Sequence, residues 1–201
     1  MLEIYGNLFD TNTYKNKDGS QLNIRVDAIC ISTNGFCKTN GKCVMGRGCA
    51  KTAADAYPNL SRRLGSYIRE YGNRVFDMGQ ILNPTGAKML NQPTHLVTFP
   101  VKPRKGTAGN SQCNVVSHMH KHIKPGDFVP GWAMIADVDI IKRSAEQLVE
   151  LADKRKWNNI VLPRPGCGAG ELKWEEYVRP ILRELLDDRF SVITFPSRRK
   201  K

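Results

Sequence analysis

Two stretches of this chain have the composition of loops that hold anions with their backbone. The first is Asn40-Gly41-Lys42-Cys43-Val44-Met45-Gly46-Arg47-Gly48, and the second is Pro163-Arg164-Pro165-Gly166-Cys167-Gly168-Ala169-Gly170. Glycines let the main chain approach a ligand closely and adopt positive φ. Successive N–H groups can then converge on one anion, and the start of a following helix adds its dipole. Neither stretch is a P-loop, because no Gly-Lys-Ser/Thr closes it, and neither fits Gly-x-Gly-x-x-Gly. One such stretch would say little, since glycines also simply make turns. Two, each after an apolar strand and before a helix, favour a diphosphate gripped from both sides at the carboxyl ends of neighbouring strands.

The elements that must position these loops can be read from periodicity. Leu2 to Phe9 reads as a short strand closing on Gly6-Asn7-Leu8-Phe9, and residues Thr11 to Gln21 as a polar loop with a Lys-Asp-Gly turn. Ile24 to Ser32 is a buried strand running into the first glycine stretch. Ala50, Ala53, Ala54 and Tyr57 suggest a helix stopped near Pro58, and Leu60, Leu64, Tyr67, Ile68 and Tyr71 predict a second over 60–71. Asp77 to Leu82 and His95 to Val101 read as strands, the latter ending at Lys102-Pro103. A long helix follows over 138–157, its start capped by Asp137 or Asp139. Strand Ile160 to Leu162, the second glycine stretch, a helix from Trp174 to Leu186 and strand Ser191 to Phe195 complete the order. This alternation predicts one α/β domain over 1–201, three layers deep, with a largely parallel or mixed central sheet between helices.

Residues Arg104 to Met134 show no sustained periodicity and read as an insertion. It carries His118, His120 and His122, with Cys113 upstream. Alternating histidines can share a strand face and ligate zinc, but a polar His-rich run is more often an exposed loop, so no metal is assigned. The segment could instead form a lid or contact a macromolecule. Trp132, Trp157 and Trp174 read as core or groove residues, and Asp27 either faces the site or ties down a strand end.

Lysine and arginine total 31 against 19 acids, a formal charge of +12. That excess suits phosphate-bearing ligands or nucleic acid, and serves equally as a solvated basic face. The tail Arg198-Arg199-Lys200-Lys201 reads as a solvated end that could touch a nucleic-acid backbone. No apolar run approaches the roughly 18–20 residues that span a bilayer, so no membrane partner is expected. The start lacks a basic then apolar export pattern, and the six cysteines form no paired framework. Both point to reduced thiols and a cytoplasmic location.

The ordered set Val26-Asp27-Ala28-Ile29-Cys30-Ile31-Ser32-Thr33-Asn34, Val44-Met45-Gly46-Arg47-Gly48-Cys49-Ala50, Tyr57-Pro58 and Pro163 to Trp174 resembles the macrodomain family over nearly the whole chain. Within it, the Val-Met-Gly-Arg-Gly loop, the Gly-Cys-Gly-x-Gly loop ending in Leu-x-Trp, and Phe99-Pro100-Val101-Lys102 are similar to the terminal ADP-ribose glycohydrolases and the DNA ADP-ribosyl antitoxins. The resemblance implies an ADP-ribose cleft and no cofactor. It implies that Asn7 accepts from the adenine amino group and Leu8 offers its N–H to the base. Val44, Met45, Gly46, Arg47 and Gly48 would hold the diphosphate on one side, and Gly166, Cys167, Gly168, Ala169 and Gly170 on the other. Lys102 would attack the distal ribose, and Asn34 would orient it.

Two departures weigh against turnover. Ile31 stands where the family often has a second asparagine, and Gly170 where some of these glycohydrolases have an aspartate, with Glu171 only adjacent. The resemblance still implies an ADP-ribosyl hydrolase acting on a modified nucleic acid or protein. The alternatives are an ADP-ribose 1″-phosphate phosphatase, a reader without turnover, or a general nucleic-acid binder with steep salt dependence.

Overall fold

The computed structural model describes residues 1–81 and 94–195. Its centre is a seven-stranded sheet built from β1 (Leu2–Asn7), β2 (Asp10–Lys15), β3 (Ala28–Asn34), β4 (Phe76–Ile81), β5 (Thr94–Lys102), β8 (Ile160–Pro163) and β9 (Phe190–Thr194), in the order β2-β1-β9-β8-β3-β5-β4. The run from β1 to β5 is parallel, and β2 and β4 join its edges antiparallel. The sheet is therefore mixed, with every parallel strand sending its carboxyl end to the same edge.

The strand period of two divides the core between two faces. Ile29 and Ile31 of β3 pack beneath α1 (Gly48–Ala56) and α2 (Leu60–Tyr71) with Leu60, Leu64 and Ile68. Ala28 and Cys30 turn to the other face, against Ile141, Ala145, Leu148 and Ala152 of α3 (Val138–Arg155) and Leu182 of α4 (Arg179–Leu185). The layers are helix, sheet, helix. Asp137 caps α3 by accepting from the N–H groups of Asp139 and Ile140. No described helix is long and apolar enough to cross a membrane.

Several boundaries differ from the sequence reading. The stretch from Thr11 contains strand β2, and the Lys17-Asp18-Gly19 turn follows it, with Gly19 at φ +87. Tyr14 is the buried side chain of this otherwise polar edge strand, so no alternation marked it. The ladder of β3 starts at Ala28, after Asp27 has accepted from the N–H groups of Asn158 and Asn159. Asp27 thus ties the amino end of β3, at the edge away from the loops. The helix expected from Trp174 opens as a wide π turn over Trp174–Val178. Pro180 lacks an N–H and would clash with the carbonyl four residues back in a regular helix, which accounts for the widening. Leu82 and the basic tail 198–201 lie outside the described residues.

The insertion is ordered into a small subdomain. A two-stranded ribbon, β6 (Lys105–Thr107) and β7 (Phe128–Pro130), is joined by short 3-10 turns around a separate cluster of Ala108, Val115, Ile123, Val129, Ala133 and Met134. The histidines do not share a strand. His120 bonds through Nε2 to the Val115 carbonyl, 2.9 Å away, and His118 stands on a 3-10 turn. Among the described residues no three His, Cys, Asp or Glu side chains converge as metal ligands.

Candidate functional site

At the carboxyl edge the chain leaves β3 toward α1 and β8 toward α4, on opposite faces of the sheet. A crevice opens where neighbouring strands diverge in this way. Here it is a cleft of about 730 Å³ that runs between the two glycine-rich loops.

Residues Gly46, Arg47 and Gly48 form one wall and lead directly into α1. Arg47 is the extended N-cap residue, no side chain caps the first turn, and that turn holds no acid. Its N–H groups therefore carry the helix's partial positive charge into the cleft. Gly48 sits at φ +57, and a Cβ on Gly46 or Gly48 would meet nothing within 4 Å. Both glycines expose bare backbone to open space.

The second wall is built differently. A Cβ on Gly168 would also meet nothing within 4 Å. Gly166, at φ +77, has Ile141 and Ala136 at 2.9 and 3.0 Å from where its Cβ would stand. A Cβ on Gly170 would collide with the Gly166 carbonyl oxygen. Ala136 N donates to Gly170 O and Leu172 N to Gly166 O, which bolts this loop to the start of α3. Cys167 is a departure from the expected ligand set: its thiol packs toward the core under α3 and α4 and bonds to the Pro165 carbonyl. Burial pushes that thiol up to about 11.

The floor brings Lys102 and Asn34 together. Strands β3 and β5 pair from Ala28↔His95 onward, and a bulge between Thr33 and Asn34 makes Asn34 the register partner of Lys102. Bulges re-aim side chains at strand ends. Lys102 is 5% exposed, and its ammonium donates to the carbonyls of Ala169 (2.7 Å) and Trp132 (3.2 Å). Burial pulls its pKa down to about 8, with Glu171 opposing the shift and Arg47 adding to it. An amine in that range is substantially neutral near pH 8 and can act as a nucleophile. Asn34 donates from Nδ2 to Val44 O and accepts from Phe36 N on Oδ1. It braces the first loop and keeps one amide hydrogen and one lone pair for other partners.

Asn7, the last residue of β1, and Leu8 lie at the cleft. Asn7 Oδ1 accepts from Phe9 N at 3.1 Å, and the Leu8 carbonyl accepts from the buried Tyr14 hydroxyl at 2.8 Å. The missed strand β2 thus supports this end of the site. The insertion adds His118 and Trp132, and the second loop adds Arg164, whose guanidinium stacks 5.0 Å above Trp174. Trp157 and Trp174 are buried. Nothing in the spacing of His118 or Trp132 could have placed them here, because the subdomain that carries them has no repeating pattern. Glu171, at φ +60, turns its carboxylate to Ser117 and accepts from both the N–H and the hydroxyl. Burial disfavours its charge, but Ser117, then His118 and Lys102, hold the carboxyl below the usual range.

No family model and no curated protein matches the sequence. Solved structures do. The chain is similar to the macrodomain of Mycobacterium tuberculosis DarG, with TM-score 0.58, 18% identity and 97% of each chain covered. It is similar to Thermosipho africanus DarTG in complex with ADP-ribose, with TM-score 0.60 and 16% identity over 88% of this chain. There it spans only 39% of the other chain's length. A mutant of an Oceanobacillus iheyensis macrodomain gives TM-score 0.53 at 12% identity over 98% of this chain and 84% of that one. At such identities the likeness is one of fold, and the fold of this chain is that of the macrodomains.

Proposed function

We propose that the cleft binds ADP-ribose and that the protein removes ADP-ribose from a modified macromolecule. The observation that carries this reading is the floor: a buried lysine with a lowered pKa, opposite Asn34, between a helix N-terminus and a bare glycine loop. The Thermosipho structure of the same fold holds ADP-ribose, which supports the choice of ligand. In the proposed arrangement the N-terminal amides of α1 and the Gly168 backbone hold the diphosphate. Asn7 and Leu8 face the adenine, and the distal ribose lies over Lys102 and Asn34.

The neutral Lys102 amine attacks the anomeric carbon of that ribose. The new C–N bond forms as the bond to the macromolecule breaks, and the departing atom takes up a proton. Water then cleaves the lysine adduct and regenerates the amine. The +12 charge suits an anionic macromolecule, a nucleic acid first and a protein second. The test is cleavage of ADP-ribosylated oligonucleotide and protein by wild type and by Lys102→Ala. Loss of cleavage with retained ADP-ribose binding supports the hydrolase, and cleavage by the variant at the wild-type rate contradicts it.

One observation favours a second reading, a reader without turnover. Position 170 offers no carboxylate, and that of Glu171 is engaged by Ser117. ADP-ribose binding with no product from any substrate, ADP-ribose 1″-phosphate included, would decide for the reader.

A further inference from the structure

Two cysteines that the proposed reaction does not use, Cys37 just before the first loop and Cys43 within it, face each other. Phe36 to Val44 forms a hairpin. Lys38 N donates to Lys42 O and Val44 N donates to Phe36 O, flanking an isolated antiparallel bridge between Cys37 and Cys43. That pattern makes 37 and 43 a non-hydrogen-bonded pair, the kind whose Cα atoms approach to about 4.5 Å with side chains close together. Disulfides take Cα separations of about 4.4–6.8 Å. The turn is set by Gly41 at φ +81, and Asn40 Oδ1 accepts from Lys42 N, so this register is fixed by the chain itself.

The Cys37 thiol donates to the Gly65 carbonyl at 3.8 Å and the Cys43 thiol to the Asn34 carbonyl at 3.3 Å, and the two sulfurs are near enough for each to shift the other's ionisation. Cys37 is partly buried and Cys43 is buried. The contact from Cys43 holds the Cys37 thiol below its ordinary value, with Arg104 and Arg69 adding positive charge. The same contact, followed by burial, pushes Cys43 up. The outer sulfur is the one more readily deprotonated and its neighbour is the more sheltered, the arrangement of an attacking and a resolving cysteine. Cys30 also has a cysteine neighbour, Cys49, but burial and that neighbour push the Cys30 thiol up, so it offers no reachable thiolate.

We infer that Cys37 and Cys43 are a peroxide-reactive pair that closes to a disulfide across the hairpin of the first loop. The Cys37 thiolate attacks one oxygen of hydrogen peroxide. The O–O bond breaks, an S–OH group forms, and the departing hydroxide takes a proton to become water. The Cys43 sulfur then attacks the Cys37 sulfur, the S–O bond breaks, and the hydroxyl leaves with the Cys43 proton as a second water. Two thiols are oxidised and one peroxide is reduced to two waters. Because Asn34 bonds to both Phe36 and Val44, the link would stiffen the strand that delivers Gly46 to the cleft. The pairing does not depend on what the cleft binds.

The experiment treats the reduced full chain with equimolar hydrogen peroxide, blocks remaining thiols under denaturing conditions, and digests with trypsin without reductant. Lys38 and Lys42 lie between the two cysteines, so they fall on different peptides, Val26–Lys38 and Cys43–Arg47. The expected result is those two peptides joined, with fragment ions assigning Cys37 rather than Cys30, and reversal by dithiothreitol. Cys37→Ser, a near-isosteric change at a partly buried position, removes the link while its thermal midpoint stays within a few degrees of wild type. Amide exchange over 36–44 slows several-fold in the oxidised protein. Recovery of Cys43 fully alkylated, with Cys37 either untouched or carrying added oxygen, overturns the inference. So does a link that survives in Cys37→Ser.

Discussion

The two glycine-rich loops look alike as sequence and do different physical work. The first leaves Gly46 and Gly48, its cleft-facing glycines, open and gains its attraction for anions from the uncapped start of α1. The second spends Gly166 and Gly170 on close packing against Ala136 and Ile141 and leaves Gly168 bare. Its Ala169 carbonyl also holds Lys102. One loop is a charged wall, and the other is a rigid one that sets the position of the floor. A glycine count cannot separate these roles, but the space beside each Cβ does.

The largest expected effect is at the floor that both loops enclose. Lys102→Ala should lower cleavage of an ADP-ribosylated substrate by at least about 100-fold, measured in single turnover, and leave ADP-ribose binding within a few-fold. Next is Gly168→Trp, whose side chain enters open cleft without backbone strain. It should weaken ADP-ribose binding by about 100-fold, or ~2.7 kcal/mol, with an unchanged thermal midpoint. Gly170→Ala should do the reverse of this, costing about 1–3 kcal/mol of stability in urea unfolding because its methyl meets the Gly166 carbonyl. If the two variants behaved alike, the division between open and packed glycines would be wrong.

A finer test uses pH. Cleavage that needs neutral Lys102 should rise with pH through an inflection at about 8. Arg47 of the first loop lowers that pKa and Glu171 after the second raises it. Arg47→Ala should therefore move the inflection upward and Glu171→Gln downward. Shifts in the same direction would show that the two loops do not act on Lys102 as opposed charges.

Much of this architecture was legible as sequence because it rests on local periodicity. Helix α2 begins and ends at Leu60 and Tyr71, as its spaced apolar residues require, and Asp137 caps α3. The pairing of Lys102 with Asn34 was not legible, since it depends on a bulge between strands far apart in the chain. Strand β2 escaped because polar side chains fill an edge where only Tyr14 is buried. The subdomain at 104–134 escaped because Ala108, Val115, Ile123 and Met134 meet only through long-range closure. Its contribution to the cleft, His118 and Trp132, was hidden with it. The facing of Cys37 and Cys43 needed the hairpin register, which the sequence signals only through Asn40-Gly41.

The central claim is that this cleft holds ADP-ribose across both loops. Titration calorimetry with ADP-ribose, using AMP and ATP as controls, tests it most directly. The expected result is micromolar or tighter binding to wild type, weaker binding of AMP, and about 100-fold loss in folded Gly168→Trp. Absence of ADP-ribose binding to wild type, or equal binding to Gly168→Trp, would contradict the account.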